Sequence, residues 1–561
     1  MRTEYEEPKR TKTPQAGIVS NLFPSLGLLL VVAMAQTAFA QQPCESLASL
    51  KLPYTTITSS TMVTEGPYAR PAGPGPGPAQ ALTVPAHCEV KGVARPSKDS
   101  EIKFAVWLPP TGWNGKYRQQ GNGGWAGSIN YASLIDPLKR GYAVAATDDG
   151  HEGNGLNATW AIGHPEKLID FGYRAVHETS LQAKAIVRAF YGRDAERSYF
   201  DGCSDGGREA LMEAQRYPDD FMGILAGAPA NNWSHLFTGF VWNEHALLKT
   251  PGSSIPPAKL PAIQRAVLAA CDHLDGIKDG LLEDPRACRF DPTVLTCKGA
   301  DSTDCLTGPQ IDALKKIYAG PRNARTSEPI FPGQPVGTEA VPGGWSGWIT
   351  PAAPAGAIQF LFGNSYYGHA VFEDAKWDFR TLEFDRDVAL GDTKAGPILN
   401  ATSPDLRSFR AAGGRLIQYH GWGDAAISAV SSIEYYESVR AFLLKYPDAR
   451  GDASRPTDDF YRLFMVPGMG HCAGGAGPNR FGNAGVGSNT DPERDIFTAL
   501  QRWVEQGVAP DRIIGTGTPA DDPSKTMTRP LCAYPRVARY NGSGDPNDAA
   551  NFACVAPGSS R

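Results

Sequence analysis

Residues 197–217, RSYFDGCSDGGREALMEAQRY, decide the fold class because their pattern changes from strand to helix around a single serine. The first seven residues are typical of a strand, and the residues from Asp205 onward are typical of a helix. Gly202-Cys203-Ser204-Asp205-Gly206 lies at the junction and fits G-x-S-x-G, the pattern of a nucleophile elbow. Such a turn exposes its serine hydroxyl, so the sequence predicts Ser204 as a nucleophile.

The flanking sequence continues this alternation in both directions. Apolar runs at 101–109, 141–147 and 221–229 predict strands, and the apolar spacing of 173–191 predicts a helix. The alternation returns after position 414, with predicted strands at 415–420 and 460–466 and predicted helices at 428–445 and 492–506. Alternating strands and helices favour an α/β fold with a parallel sheet wrapped by helices.

A long segment interrupts the alternation. Residues 231–393 are rich in Trp, Pro and Gly, contain short helical patterns, and hold four of the ten cysteines. We therefore expect this segment to be a domain inserted into the sheet domain, which is formed by residues 41–230 and 394–561.

A serine nucleophile needs a base and an acid, and in folds of this class they follow the serine in the order acid, then histidine. Two candidates come directly after predicted strands: Asp424 in HGWGD and His471 in PGMGHC. Both lie in Gly-rich loops, where the carboxyl edge of a parallel sheet presents side chains. Asp424 is predicted to orient His471, and His471 to take the proton of Ser204.

Composition excludes several classes of function. The net charge is −5 with acids and bases interspersed, so no basic surface indicates a nucleic-acid partner. The N-terminus combines basic residues, an apolar run at 26–35 and Ala38-Phe39-Ala40, the order of a secretory signal. The apolar run is too short to span a bilayer, which needs about 20 residues. We predict cleavage after Ala40, a secreted or periplasmic protein, and no membrane association afterwards.

The cysteines agree with export. Ten cysteines, an even number, in an exported chain predict up to five disulfides, and the absence of a CxxC pair argues against a thiolate metal site. Cys203 precedes Ser204 and Cys472 follows His471, so these thiols must be close if serine and histidine meet. A bond between them would close a loop of about 270 residues, worth roughly 5 kcal/mol on the chain-entropy description. Cys203 would then be a structural link and not a nucleophile.

These motifs together resemble the tannase and feruloyl esterase family, which includes the bacterial mono(2-hydroxyethyl) terephthalate hydrolase. The resemblance rests on the G-x-S-x-G with its cysteine, the HGxxD at 420–424 and the GHC at 470–472, and it covers about 44–554. It implies an α/β-hydrolase fold with a large inserted lid domain and a triad of Ser204, Asp424 and His471. It also implies an oxyanion hole formed by the backbone N–H of Asp205 and that of Gly124, with Gly123 the alternative.

The inserted segment contains DHLDGIKDGL at 272–281, whose aspartates and glycines have the composition of a calcium loop. On pattern alone a solvated acidic turn fits equally well. The resemblance implies a structural Ca²⁺ held by carboxylates and backbone carbonyls of Asp272, Asp275, Ile277, Asp279 and Leu281. It further implies the disulfides Cys44–Cys88, Cys203–Cys472, Cys271–Cys288, Cys297–Cys305 and Cys532–Cys554.

The family hydrolyses esters of aromatic acids, so the expected partner is a small aromatic ester, free or attached to a plant polymer. A hydroxycinnamoyl or galloyl ester is the leading expectation, and a terephthalate monoester is the alternative. His420, four residues before Asp424, is considered as a substrate-binding residue, and a structural role fits it equally well. Aromatic residues of the insertion could stack on the substrate ring or serve in packing: Trp345, Trp348, Phe360, Phe362, Tyr366 and Tyr367. An exported serine peptidase and an inactive binding protein on the same fold remain alternatives.

Overall fold

The computed structural model describes residues 41–69, 82–446, 456–519, 522 and 524–557. The predicted signal peptide, residues 1–40, lies outside the described residues. Within them, no helix has the length and apolarity that a membrane crossing requires.

The strands and helices are numbered in chain order. The strands are β1 Thr55–Val63, β2 Gly66–Tyr68, β3 Leu82–Val84, β4 His87–Ala94, β5 Ile102–Leu108, β6 Lys116–Gln120, β7 Ala143–Thr147, β8 Arg197–Cys203, β9 Gly223–Gly227, β10 Arg415–Gly421, β11 Tyr461–Val466, β12 Gly477–Arg480, β13 Arg512–Thr518, β14 Met527–Cys532, β15 Val537–Tyr540 and β16 Phe552–Val555. The helices are α1 Ile135–Lys139, α2 Pro165–Ile169, α3 Ala175–Tyr191, α4 Asp205–Arg216, α5 Trp233–Leu248, α6 Leu260–Cys271, α7 Gly308–Ala319, α8 Trp345–Trp348, α9 Ile358–Ser365, α10 Arg386–Lys394, α11 Gly396–Leu399, α12 Arg407–Ala411, α13 Val430–Lys445 and α14 Ile496–Gln506.

A mixed sheet forms the centre of the protein, in the order β1-β4-β5-β7-β6-β8-β9-β10-β11. The strands from β7 to β11 run parallel, whereas β1, β4 and β5 pair antiparallel at one edge. The expectation of a parallel sheet is therefore wrong at that edge. The chain between β4 and β5 is shorter than a parallel crossover of a dozen or more residues requires, so these two strands form a hairpin.

Helices cover both faces of the sheet, and side chains of one strand alternate between the two cores. In β8, Phe200 packs with Ala183, Leu211 and Tyr436 on one face. Tyr199 packs on the other face with Ile417, Phe497 and Leu500. Successive residues of a strand point to opposite faces, so β8 is buried on both sides of the sheet. This burial fixes the position of Ser204, which directly follows the strand.

The segment between β9 and β10 is helical and packs against the sheet. Its helix α5 is 16 residues long, and α6 and α7 have 12 each, so these helices are longer than the sequence pattern indicates. Trp233 and Phe237 of α5 share one aromatic core with Trp125 and Phe171, which belong to the loops of the sheet. Contacts accordingly group the described residues into one compact unit.

Candidate active site

Ser204 lies on a tight turn between β8 and α4. Its backbone has φ 68° and ψ −120°, a conformation that costs energy for a residue with a side chain and that marks a functional turn. The turn needs both flanking glycines, because a Cβ on Gly202 would lie 2.4 Å from the Gly206 carbonyl oxygen. A Cβ on Gly206 would lie 2.8 Å from the carbonyl oxygen of Asn122. The G-x-S-x-G pattern is thus explained by backbone packing.

Three predicted residues from distant parts of the chain meet at this turn. The Ser204 hydroxyl Oγ lies 2.9 Å from Nε2 of His471. Nδ1 of His471 lies 2.8 Å from Oδ2 of Asp424. Since a carboxylate only accepts, Nδ1 carries the imidazole proton, and Nε2 is left to accept the hydroxyl proton of Ser204. This is the arrangement that a serine nucleophile and its general base require.

Asp424 is held as an anion by the groups around it. Its Oδ1 accepts the backbone N–H groups of Ala426 and Ile427, at 2.8 and 2.9 Å. Its Oδ2 accepts from His471 and also from Nε2 of His420, at 3.2 Å. Burial alone would raise the pKa of this carboxyl, but the charge and hydrogen bonds of the two histidines outweigh it and lower the pKa below its ordinary value.

His420 does not line the substrate cavity, so its assignment as a substrate-binding residue is wrong. It is fully buried on the far side of Asp424. Its Nδ1 is hydrogen-bonded to the Ser432 hydroxyl at 2.7 Å, and its Nε2 also donates to the Ile427 carbonyl at 3.1 Å. His420 lies near the end of β10, which is paired on both sides in the sheet, and its side chain is enclosed in the core.

A disulfide joins the neighbours of the serine and the histidine. Cys203 and Cys472 are bonded, with their Cα atoms 5.9 Å apart and 269 positions apart in the chain. The bond connects the end of β8 directly to the loop that carries His471. The structure also contains the other four expected pairs: Cys44–Cys88, Cys271–Cys288, Cys297–Cys305 and Cys532–Cys554.

A cavity of about 470 Å³ opens above Ser204 and His471. One wall is apolar and comes from the inserted segment, with Trp233, Phe237 and Phe240 from α5 and Phe362 from α9. The rings of Phe237 and Phe362 are stacked at 5.8 Å, and they line a slot with aromatic walls. A planar aromatic group is the ligand that such walls pack against best.

The aromatic residues considered from the sequence divide into two groups. Trp348 and Phe362 line the cavity, and the Trp348 ring packs edge-on against His471 at 5.2 Å. The other four are buried at 1 % exposure or less and serve in packing: Trp345, Phe360, Tyr366 and Tyr367.

The cavity residues of α5 were missed in the sequence. They follow β9 directly, and positions 233, 237 and 240 have the spacing of one helical face, a signal that could have identified them.

The proposed oxyanion donors border the cavity next to Ser204. Gly123, Gly124 and Asp205 all line it. Ser204 N donates to the Gly227 carbonyl and Gly206 N to the Asn122 carbonyl, so the Asp205 amide lies between two anchored amides. Gly124 has φ 60°, and a Cβ there would lie 2.3 Å from the Gly155 carbonyl oxygen, which makes glycine necessary at this position.

The acidic loop of the inserted segment folds around its own backbone. Asp272 accepts from Gly280 N, and Asp275 from Ile277 N and Glu283 N, at 3.1 to 3.3 Å. Burial, and then the charge of Asp279, raises the pKa of Asp275 to about 6. Asp279 pairs with Arg529 at 2.6 Å. Three carboxylates on one turn are the hard oxygen donors that suit Ca²⁺. These aspartates do not belong to the groups of three side chains, among the described residues, whose ligand atoms lie within 4.8 Å of one another.

Comparison with known proteins identifies the family of the chain. A family model described as "Tannase and feruloyl esterase" matches residues 88–555. The chain belongs to the tannase and feruloyl esterase family. Among curated members, an uncharacterized esterase of Xanthomonas campestris is 45% identical over 94% of both chains. The mono(2-hydroxyethyl) terephthalate hydrolase of Piscinibacter sakaiensis is 36% identical over 86% of this chain and 87% of its own.

A solved structure of the same family has the same fold. Feruloyl esterase B from Aspergillus oryzae is 30% identical and superposes with a TM-score of 0.81 over 91% of this chain and 99% of its own. Membership of the tannase and feruloyl esterase family makes this chain an esterase, specifically a carboxylic ester hydrolase.

Proposed function

We propose that the protein is an exported serine carboxylesterase that hydrolyses esters of aromatic acids through an acyl-enzyme formed on Ser204. One observation carries the proposal: the Ser204–His471–Asp424 chain of hydrogen bonds opens into a cavity walled by aromatic rings. The proposed fold is the α/β hydrolase fold. In it, residues 41–230 and 394–561 form the catalytic domain, and residues 231–393 form the lid.

Acylation begins with the hydroxyl of Ser204. As Oγ attacks the ester carbonyl, its proton passes to Nε2 of His471, and Asp424 stabilises the imidazolium that results. The carbonyl oxygen becomes an oxyanion, which accepts hydrogen bonds from the amides of Asp205 and Gly124. Donors fixed on a turn do not reorganise during the reaction, and each is worth about 3 kcal/mol of barrier. His471 then gives the proton to the alcohol as its C–O bond breaks.

Deacylation repeats these steps with water as the nucleophile. His471 takes a proton from the water as its oxygen attacks the acyl carbonyl, and the same amides hold the second oxyanion. When the bond to Oγ breaks, the proton returns from His471 to Ser204, and the aromatic acid leaves. The edge-on contact of Trp348 with His471 shields the imidazole from solvent in both halves.

The lining of the cavity favours an uncharged acyl group. Among the described residues that line it, the titratable ones are Asp205 and His471, and none is a lysine or an arginine. A terephthalate monoester would place a carboxylate in this apolar space without a cationic partner, which is costly. We therefore infer that hydroxycinnamoyl esters are preferred, with galloyl esters next and terephthalate monoesters last. The alcohol part of the ester is free or attached to a plant polymer.

We further propose that the loop at 272–281 binds a structural Ca²⁺. Asp272, Asp275 and Asp279 would supply carboxylates, and Ile277 and Leu281 would supply carbonyl oxygens. The ion would rigidify the lid and take no part in the reaction. Export rests on the signal sequence together with the five disulfides, which persist in oxidising compartments.

The mature protein should be assayed with methyl ferulate, methyl gallate and a terephthalate monoester. Ser204→Ala is expected to abolish hydrolysis of all three, and Ser49→Ala, a change at an exposed serine, to leave it intact. Mass spectrometry of a stopped reaction should find the acyl group on the peptide that contains Ser204. Undiminished hydrolysis by Ser204→Ala contradicts the mechanism, and a preference for the charged monoester contradicts the inferred acyl specificity.

A further inference from the structure

A group of buried carboxyls lies beneath the turn of Ser204. Oxygen atoms of Asp149, Asp205 and Glu209 lie within 4.8 Å of one another, and none of the three residues is more than 2 % exposed. Arg208 is the cation in contact with them, and its Nε lies 2.6 Å from Oδ1 of Asp205. If all three carboxyls were ionised, the cluster would carry a net charge of about −2 in a dry interior, a cost that proteins avoid by protonation.

The hydrogen bonds identify which carboxyl holds the proton. Glu209 accepts from the backbone N and the side-chain Nδ2 of Asn122, at 2.9 and 3.1 Å, and Asp205 accepts from Arg208. Both side-chain oxygens of Asp149 are buried, and neither accepts a hydrogen from a donor in the part of the chain that the structure describes. A protonated Asp149 resolves this by donating to the Glu209 carboxylate beside it. Burial, and then the charge and hydrogen bond of Glu209, raise the pKa of Asp149 well above its ordinary value.

The cluster supports both halves of the oxyanion hole proposed above. Glu209 holds Asn122, which begins the Asn122-Gly123-Gly124 loop, and Asp205 carries the second amide. A Cβ on Gly121 would lie 2.8 Å from Oε2 of Glu209, so the loop rests directly on this carboxylate. Asp149 has φ 62°, a strained conformation for an aspartate that tertiary contacts must maintain.

We propose that Asp149 is a positioning residue whose neutral carboxyl bridges to Glu209 and thereby holds the oxyanion loop against the Ser204 turn. The inference rests on the proposed serine mechanism. Loss of the proton at alkaline pH would place two carboxylates side by side, and their repulsion would release Asn122. The turnover number should therefore fall at alkaline pH, while substrate binding changes little.

Other charged groups face the pair from neighbouring elements, and two of them titrate as well, because burial raises the pKa of Asp205 to about 7 and that of Asp148 to about 8. From α4 these are Asp205 and Arg208, and Arg208 also donates to the carbonyls of Phe171 and Gly172. From the loop after β7, Asp148 directs Oδ1 to the amides of Lys103 and Gly150. From the segment before α3, Asp170 is paired with Arg174.

Asp149→Asn and Asp149→Ala distinguish a neutral bridge from other roles. Asparagine keeps a donor and the shape of the neutral acid, so kcat with methyl ferulate should stay within about threefold of wild type at neutral pH. Alanine removes the bridge, and kcat should fall about tenfold or more with KM within about twofold, because oxyanion donors act on turnover. The alkaline fall in kcat should be smaller in Asp149→Asn than in wild type, and Asp194→Asn at an exposed carboxyl should match wild type throughout.

A spectroscopic measurement tests the proton directly, even if Asp149→Ala does not fold. The infrared difference spectrum between wild type and Asp149→Asn at neutral pH should contain the C=O stretch of one protonated carboxylic acid, beyond those of other buried carboxyls such as Glu213 and Glu244. The proposal is overturned if the difference spectrum lacks that band, if asparagine impairs kcat as much as alanine, or if the alkaline fall in kcat is as large in Asp149→Asn as in wild type. Elemental analysis that finds one bound cation, lost in Asp149→Asn, also overturns it. An active Ser204→Ala would instead refute the serine mechanism and leave the infrared result valid.

Discussion

Removal of the Cys203–Cys472 disulfide should damage both stability and turnover. The bond closes a loop of 269 positions, for which the chain-entropy description predicts about 5.6 kcal/mol of stabilisation. The half-buried Cys297–Cys305 bond closes 8 positions and is worth about 2.5 kcal/mol by the same relation. With an unfolding entropy of about 2.1 cal/mol/K per residue over about 520 residues, these values correspond to decreases in Tm of about 5 and about 2 °C.

The effect on turnover comes from geometry. Cys472 immediately follows His471, and the disulfide is the covalent link between that loop and the Ser204 turn. A displacement of about 1 Å between nucleophile and base costs about 100-fold in rate. We expect kcat of Cys203→Ala/Cys472→Ala to fall by roughly that factor.

The assay compares this double variant with Cys297→Ala/Cys305→Ala and with wild type. Methyl ester hydrolysis gives kcat and KM, and circular dichroism during heating gives Tm. A wild-type kcat in Cys203→Ala/Cys472→Ala would refute the positioning role of the bond. Equal losses of Tm in the two double variants would refute the loop-entropy reasoning.

Three further predictions concern the supports of the site. His420→Ala removes one donor from Asp424 and raises the pKa of that carboxyl. Since Asp424 acts ionised, the loss of kcat/KM on acidification should begin at a higher pH than in wild type. His420→Gln, which can still donate, should show a smaller shift of this acid limb. Gly206→Ala places a Cβ 2.8 Å from the Asn122 carbonyl oxygen, and by displacing the oxyanion loop it should lower kcat about tenfold or more. The control is Gly308→Ala, which is also in the first turn of a helix. Its Cβ would meet open space, and kcat should not change. Chelation of calcium should lower Tm in wild type but not in Asp275→Asn; an unchanged Tm in wild type contradicts the calcium proposal.

Several elements could be predicted from the sequence because local patterns determine them. The strand before Ser204 and the helix after it follow from apolar periodicity, and both match β8 and α4 closely. The predicted start of a helix was less accurate where the side chain of an N-cap residue sets the boundary. The helix expected from Pro492 begins at Ile496, because the side chain of Asp495 accepts the Thr498 N–H and starts the helix there.

Other features depend on which surfaces meet, and one stretch of sequence does not contain that information. His420 lies near the end of β10 and Asp424 lies in the Gly-rich loop that follows, yet His420 contacts Ser432 in the core and Asp424 reaches His471. Asp149 gave no sequence signal, since its role comes from Glu209 and Asn122 on two other elements. The antiparallel pairing of β5 with β7 likewise joins segments that are distant in the chain.

The sequence by itself determined the alternation of strands and helices, the serine turn, the chain order of serine, acid and histidine, and the cysteines beside them. Each of these is a local pattern in which residue type and spacing have a direct physical cause. The tertiary structure alone decided that α5 forms the aromatic wall, that His420 supports Asp424, and that three carboxyls share the space beneath Ser204. These properties arise from burial and from distances between segments far apart in the chain, which only folding establishes.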